Sequence, residues 1–382
     1  MSHATEAKLT GVLTPSDLER LLTLVREQGY TTVGPTVRDG AILYREITGL
    51  AELPQGWGDE QEGGRYRLVR RDDEALFGYA VGPDSCKKYL YPSRRVLWEA
   101  HKDGDELSFS APTEPPPRYA FLGARACELA AVAVQERVFS RGAFTESDYT
   151  ARQQAAAFIA VNCGTPAATC FCASMETGPD VREGADLVLT ELLDAAGHVF
   201  VARADTARGG EWLRALAVPV PSAAQMEAAA GVTRDATARM GRRMDTAGLP
   251  AMLRETMEHP AWNDVANRCL ACANCTLVCP TCFCSTVEEV ADLDGRTARH
   301  ERVWDSCFSE DFSFIHGGSV RASTRSRYRQ WLTHKLGTWH DQFDTSGCVG
   351  CGRCITWCPV GIDLTAEVRR LRGNPQGGEE HG

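Results

Sequence analysis

Sixteen cysteines punctuate this chain of 382 residues, and eleven of them fall between Cys269 and Cys358. Thiolates in such density bind metal or form disulfides. Two stretches decide which. "CLACANCTLVCP" sets Cys269, Cys272, Cys275 and Cys279 at the spacing C-x2-C-x2-C-x3-C-P, and "CVGCGRCITWCP" repeats it with Cys348, Cys351, Cys354 and Cys358. Three cysteines at three-residue steps on a tight loop can wrap one face of a cubane. The fourth projects from the following turn towards a neighbouring cubane, and the proline stops that turn from continuing. The spacing therefore predicts two [4Fe-4S] clusters with crossed ligands. Cys269, Cys272, Cys275 and Cys358 would hold the first, and Cys348, Cys351, Cys354 and Cys279 the second. Structural zinc, which favours two separated pairs, fits this spacing poorly.

The string TCFC occurs twice, at Thr169–Cys172 and at Thr281–Cys284. The second copy follows a run that already completes both ligand sets. Cys282 and Cys284, with Cys307 in "WDSC", are therefore expected to pack beside a cluster rather than to bind iron. No ferredoxin run accounts for the first copy. Cys163 ends one apparent strand and Cys127 follows another, and strand ends of this kind converge on one edge of an open α/β sheet. Cys127, Cys163, Cys170 and Cys172 could thus complete a third [4Fe-4S] cluster; zinc, or simple burial of small thiols, stays open. Cys86 has no companion and is read as structural.

The elements that must position these cysteines form an α+β chain. "TPSDLERLLTLVREQGY" reads as a capped helix over Thr14–Tyr30, and "VGPTVRDGAILYREI" as strands broken at Asp39-Gly40. "RYAFLGARACELAAVAVQERVF" is a buried strand running into a helix. "AAAFIAV", "ADLVLTELLD" and "HVFVARADT" read as further strands. The division expected is an N-terminal α/β domain at 1–220, an Ala- and Met-rich helical connection at 221–261, an all-α dicluster domain of the helical ferredoxin type at 262–372, and a disordered tail at 373–382. The methionines of the connection read as buried helix faces. Between His316 and His340 lie Arg321, Arg325, Arg327, Arg329 and Lys335 with no acidic residue. Arg321, Arg325 and Arg329 share one helical face, and the stretch reads as a docking face, as positive charge that raises cluster potentials, or as a solvated face.

Composition sets the outer bounds. With 43% hydrophobic and 24% charged residues the chain is an ordinary globular protein, and a net charge of −10 argues against nucleic acid as partner. No apolar run is long enough to span a bilayer and the N-terminus has no signal-peptide core, so the cytoplasm is the expected location. No GxGxxG follows a strand, which argues against a bound dinucleotide.

Four further stretches, "GARACELAAV", "NCGTPAATCFCASMETGP", "CPTCFCSTVEE" and "VWDSCFSEDFSFIHGGSVR", occur in this order. With the two runs they resemble the iron–sulfur beta subunit of cytosolic NADP-linked nickel–iron hydrogenases, the sulfhydrogenases, from about Tyr79 to Leu371. The iron–sulfur component of anaerobic sulfite reductase, which shares the architecture, is similar. The resemblance implies a non-catalytic electron-transfer subunit with no flavin or nickel of its own. Its implied partners are a flavoprotein subunit using NAD(P)H and the small and large hydrogenase subunits, or a sulfite reductase catalytic subunit. A self-contained flavin-dependent iron–sulfur reductase is the alternative from another class.

Overall fold

A computed structural model describes residues 8–194 and 197–373; the tail expected to be disordered lies, Gly373 apart, outside the described residues. Seven strands form the main sheet in the order Thr10–Leu13, Gly197–Ala204, Leu187–Asp194, Ala157–Val161, Tyr119–Ala124, Thr31–Arg38, Ala41–Glu46. The four central members pair in parallel and each edge is closed by antiparallel pairing. Alternate residues of the central strands enter two cores, as a sheet covered on both faces requires. Leu122, Ile159 and Leu187 pack under Leu18, Leu22 and Trp212, while Phe121, Phe158 and Val188 pack under Leu129, Val132 and Phe139.

Local chemistry explains the boundaries. The first helix, Pro15–Glu27, starts on Thr14, whose hydroxyl accepts from Asp17 N while the Asp17 carboxylate accepts from Thr14 N. The Thr31–Arg38/Ala41–Glu46 hairpin turns on Asp39 and Gly40, both at positive φ, as a tight two-residue turn demands. The helix Ala126–Phe139 leaves the sheet through Arg125, which is 2% exposed and donates to the carbonyls of Phe77, Tyr79 and Asn162. That buried guanidinium ties the start of the helix that carries Cys127 to the strand end that leads into Cys163.

The segment 262–372 is not all-α. Between the two runs the chain makes a hairpin, Ser285–Ala291 and Thr297–Trp304, which joins Arg94–Asp103 and Glu106–Ser110 in a four-stranded sheet. The alternation in "STVEEVADLDGRTARHERVW" and its Asp294-Gly295 turn carry that signal, and the cysteines on either side obscure it. Helices Ala261–Arg268, Thr324–Thr333 and Leu364–Leu371 enclose the rest. In the connection, Met244 is buried, whereas Met226 and Met257 are exposed. Among the described residues no helix is long and apolar enough to cross a membrane.

Candidate metal centres

The two ferredoxin runs share one backbone. In the first, Ala271 and Ala273 stand at positive φ, and in the second Gly350 and Gly352 occupy the same places. Each loop then aims an amide at its first cysteine: Ala271 N donates to Cys269 Sγ and Gly350 N to Cys348 Sγ, both at 3.4 Å. Amides directed at sulfur favour the thiolate that iron requires.

Only one loop uses glycine, and its neighbours explain why. A Cβ on Gly350 would lie 2.7 Å from the Cys172 Cα, and one on Gly352 2.6 Å from the Thr169 carbonyl oxygen. The first TCFC string packs directly on the second loop. Phe171 N donates to Gly350 O at 2.8 Å, Thr177 Oγ1 to Val349 O at 2.6 Å, and the hydroxyls of Thr169 and Thr356 share a 2.8 Å hydrogen bond. The second string holds the loop's other end, since Thr281 Oγ1 donates to Gly347 O at 2.6 Å. Thr169 and Thr281 are both fully buried.

The fold brings the cysteines together across the runs. Cys269, Cys272, Cys275 and Cys358 line one cavity with Phe308, Tyr328, Trp331, Ile362 and Leu364, and Cys354 also reaches it. Burial first, then Cys269, Cys358 and Cys272, push the Cys275 thiol well up. Around Cys354 the order is burial, then Cys348, Cys351 and Cys279. Among the described residues no three His, Cys, Asp or Glu side chains converge tightly enough for a single metal ion. Thiols spread around an apolar cavity, with amides aimed at them, suit a cubane, whose irons sit at separate corners.

Of the N-terminal four, Cys163, Cys170 and Cys172 are mutual neighbours, while Cys127 faces Cys351 before Cys172. Cys170 Sγ stands 3.7 Å from Cys351 O. Met240 caps the group, its sulfur 4.0 Å from Cys172 Sγ. Cys282 donates to Cys279, and this hydrogen bond, with Lys335 nearby, holds the Cys279 thiol well below its usual range against the opposing effect of burial. Cys284 accepts from Cys307 and is thereby lowered to about 7. Cys86 is buried, its amide donating to Glu128 Oε2 at 3.0 Å.

Sequence reasoning named Lys335 in the acid-free stretch without its burial, and missed the buried Lys87 and Arg353 altogether. Lys335 and Lys87 flank the segment that follows Cys279, and Arg353 stands between Cys351 and Cys354. Arg353 pairs with Glu128, each 1% exposed, and donates to Gly82 O at 2.7 Å and Asp84 O at 2.9 Å. This pair bolts the second run to the N-terminal half. Arg353→Met is expected to cost about 3–5 kcal/mol by stranding the Glu128 charge. The Arg353→Met/Glu128→Leu double variant should recover most of it, read as the urea midpoint of anaerobic protein. The signal in the sequence was a charged residue inside a cysteine loop otherwise built of small and apolar residues.

The arginine stripe has partners within the chain. Arg325 and Arg329 each meet Glu258 at 2.8 Å, and Arg329 donates to Met257 O. Arg321 precedes the helix Thr324–Thr333 and bonds Ser313, so the three do not form one face of that helix.

Residues 268–362 match the family described as a 4Fe-4S dicluster domain. That stretch is thus similar to iron–sulfur domains of the dicluster ferredoxin kind, and its cysteine geometry agrees. Over 336 residues, 85% of this chain and 94% of the relative, it is 25% identical to sulfhydrogenase 2 subunit beta of Pyrococcus furiosus. The resemblance read from the sequence motifs is therefore matched by similarity along most of the chain. No solved structure matches it.

Proposed function

We infer that this chain is an electron-transfer subunit of a multi-subunit hydrogenase, passing single electrons between a flavoprotein subunit that uses NAD(P)H and the small and large hydrogenase subunits. The observation that carries the reading is the crossing: Cys358 stands among the first run's cysteines and Cys279 among the second's. Bound [4Fe-4S] clusters supply one-electron carriers. The chain's own residues supply spacing, insulation and charge.

The first set is the outer one, with Cys272 exposed beside Leu270, 62% exposed. The second is the inner one, with Cys279, Cys348 and Cys351 buried. The N-terminal cysteines lie against the inner set, where a third cluster would extend the path. On this reading 1–220 is an N-terminal unit bearing that cluster, 221–261 a connection, and 262–372 the dicluster unit. Flavin and nickel belong to other chains.

Iron and acid-labile sulfide per chain test the reading, measured on anaerobically reconstituted protein beside the Cys170→Ser/Cys172→Ser variant. About twelve irons are expected, falling to about eight in the variant. About eight in both would remove the third cluster and leave the first TCFC string as a brace for the second loop. Fewer than eight in the unaltered chain would sink the two-cluster relay.

A further inference from the structure

Lys335 stands on a π-helical turn, His334–Thr338, and is 3% exposed. Its Nζ meets three acceptors: Thr281 Oγ1 and Gly347 O at 3.0 Å, and Cys279 Sγ at 3.4 Å. A lysine ammonium has three protons to donate, so the site accommodates the cation with none left over. Lys87, 4% exposed, donates to Cys282 O at 3.2 Å and lies 4.0 Å from the Trp304 ring centroid. Among the described residues neither lysine forms an ion pair with a carboxylate, whereas Arg353 is neutralised by Glu128. Buried charge without a counter-charge is expensive. Hydroxyls and carbonyls offer only dipoles, and the nearest source of negative charge is the thiolate set around Cys279.

We propose that Lys335, seconded by Lys87, is the built-in counter-ion of the inner [4Fe-4S] cluster and raises its reduction potential. The proposal rests on the assignment of Cys279 to that cluster. A cubane held by four thiolates is an anion in both states and gains one negative charge when it takes an electron. A fixed cation therefore stabilises the reduced form more than the oxidised form. The inner position, beside Cys163, Cys170 and Cys172, then retains an electron more readily than its own ligands would dictate. Lys335 is a positioning residue for charge and bonds no iron.

The test is a redox titration followed by electron paramagnetic resonance on the full chain, anaerobically reconstituted, with Lys335→Met, Lys335→Arg and Lys87→Met. Lys335→Met should lower the midpoint of one cluster only. At fixed ambient potential its reduced-to-oxidised ratio should fall at least tenfold, about 59 mV for one electron. Lys335→Arg should hold the original value, and Lys87→Met should shift the same cluster by less. An unmoved midpoint in Lys335→Met with both clusters present overturns the proposal. Where Lys335→Met does not retain the cluster, an unmoved midpoint in Lys87→Met overturns it. A single cubane in the unaltered chain would instead remove the ligand assignment beneath it, and the proposal with it.

Discussion

Cys279→Ser is expected to abolish the inner cluster and spare the outer one, although Cys279 belongs to the first run. About four of the irons should be lost. The surviving spectrum should match that of Cys348→Ser, because Cys279 and Cys348 are assigned to one set. Cys358→Ser should pair in the same way with Cys269→Ser. The geometry behind this is specific. The short helices Asn274–Leu277 and Arg353–Thr356 pack together, and Asn274 Nδ2 donates to Trp357 O at 3.3 Å. That contact carries the last cysteine of each run across to the other. If the spectrum of Cys279→Ser matches that of Cys269→Ser, each run serves its own cluster and the crossed assignment is wrong.

Gly350→Ala should also strip the inner cluster, without touching any ligand. Two costs add. Alanine at φ +63 pays about 1–2 kcal/mol for the left-handed conformation. Its Cβ would then sit 2.7 Å from the Cys172 backbone, and overpacking of this kind costs about 1–3 kcal/mol. The neighbour is main chain, which cannot swing aside, so the loop itself must move and take the Cys348 and Cys351 thiols out of place. Ala271→Gly, the matching exchange in the first loop, meets neither obstacle and should leave both clusters intact. Iron content and the melting curve of the paired variants distinguish them. A Gly350→Ala protein with full iron and unchanged melting would show that the first TCFC string does not brace the loop.

The cysteine runs, the alternating strands around Ile159 and Val188, the Asp39-Gly40 turn and the Thr14 cap were legible in the sequence. Each is a local matter: spacing, period, or a side chain bonding its own backbone three residues away. The Ser285–Trp304 hairpin was legible in principle, but its pairing with Arg94–Asp103 was not, because strand pairing across some two hundred residues leaves no local trace. The partners of the charged residues were equally hidden. Arg325 and Arg329 looked unopposed because Glu258 lies far upstream, and Lys335 looked like one more charge of an acid-free stretch until folding buried it.

The sequence by itself determined that this is an iron–sulfur protein, since ligand spacing is a property of a dozen consecutive residues. Only the tertiary structure decided what the two TCFC strings do. Both grip the second ferredoxin loop through their buried threonines. The second string also lends Cys282 to Cys279, and the first sets two further thiols, Cys170 and Cys172, beside Cys351. Burial and long-range contact assign those roles, and both come into being only when distant segments pack.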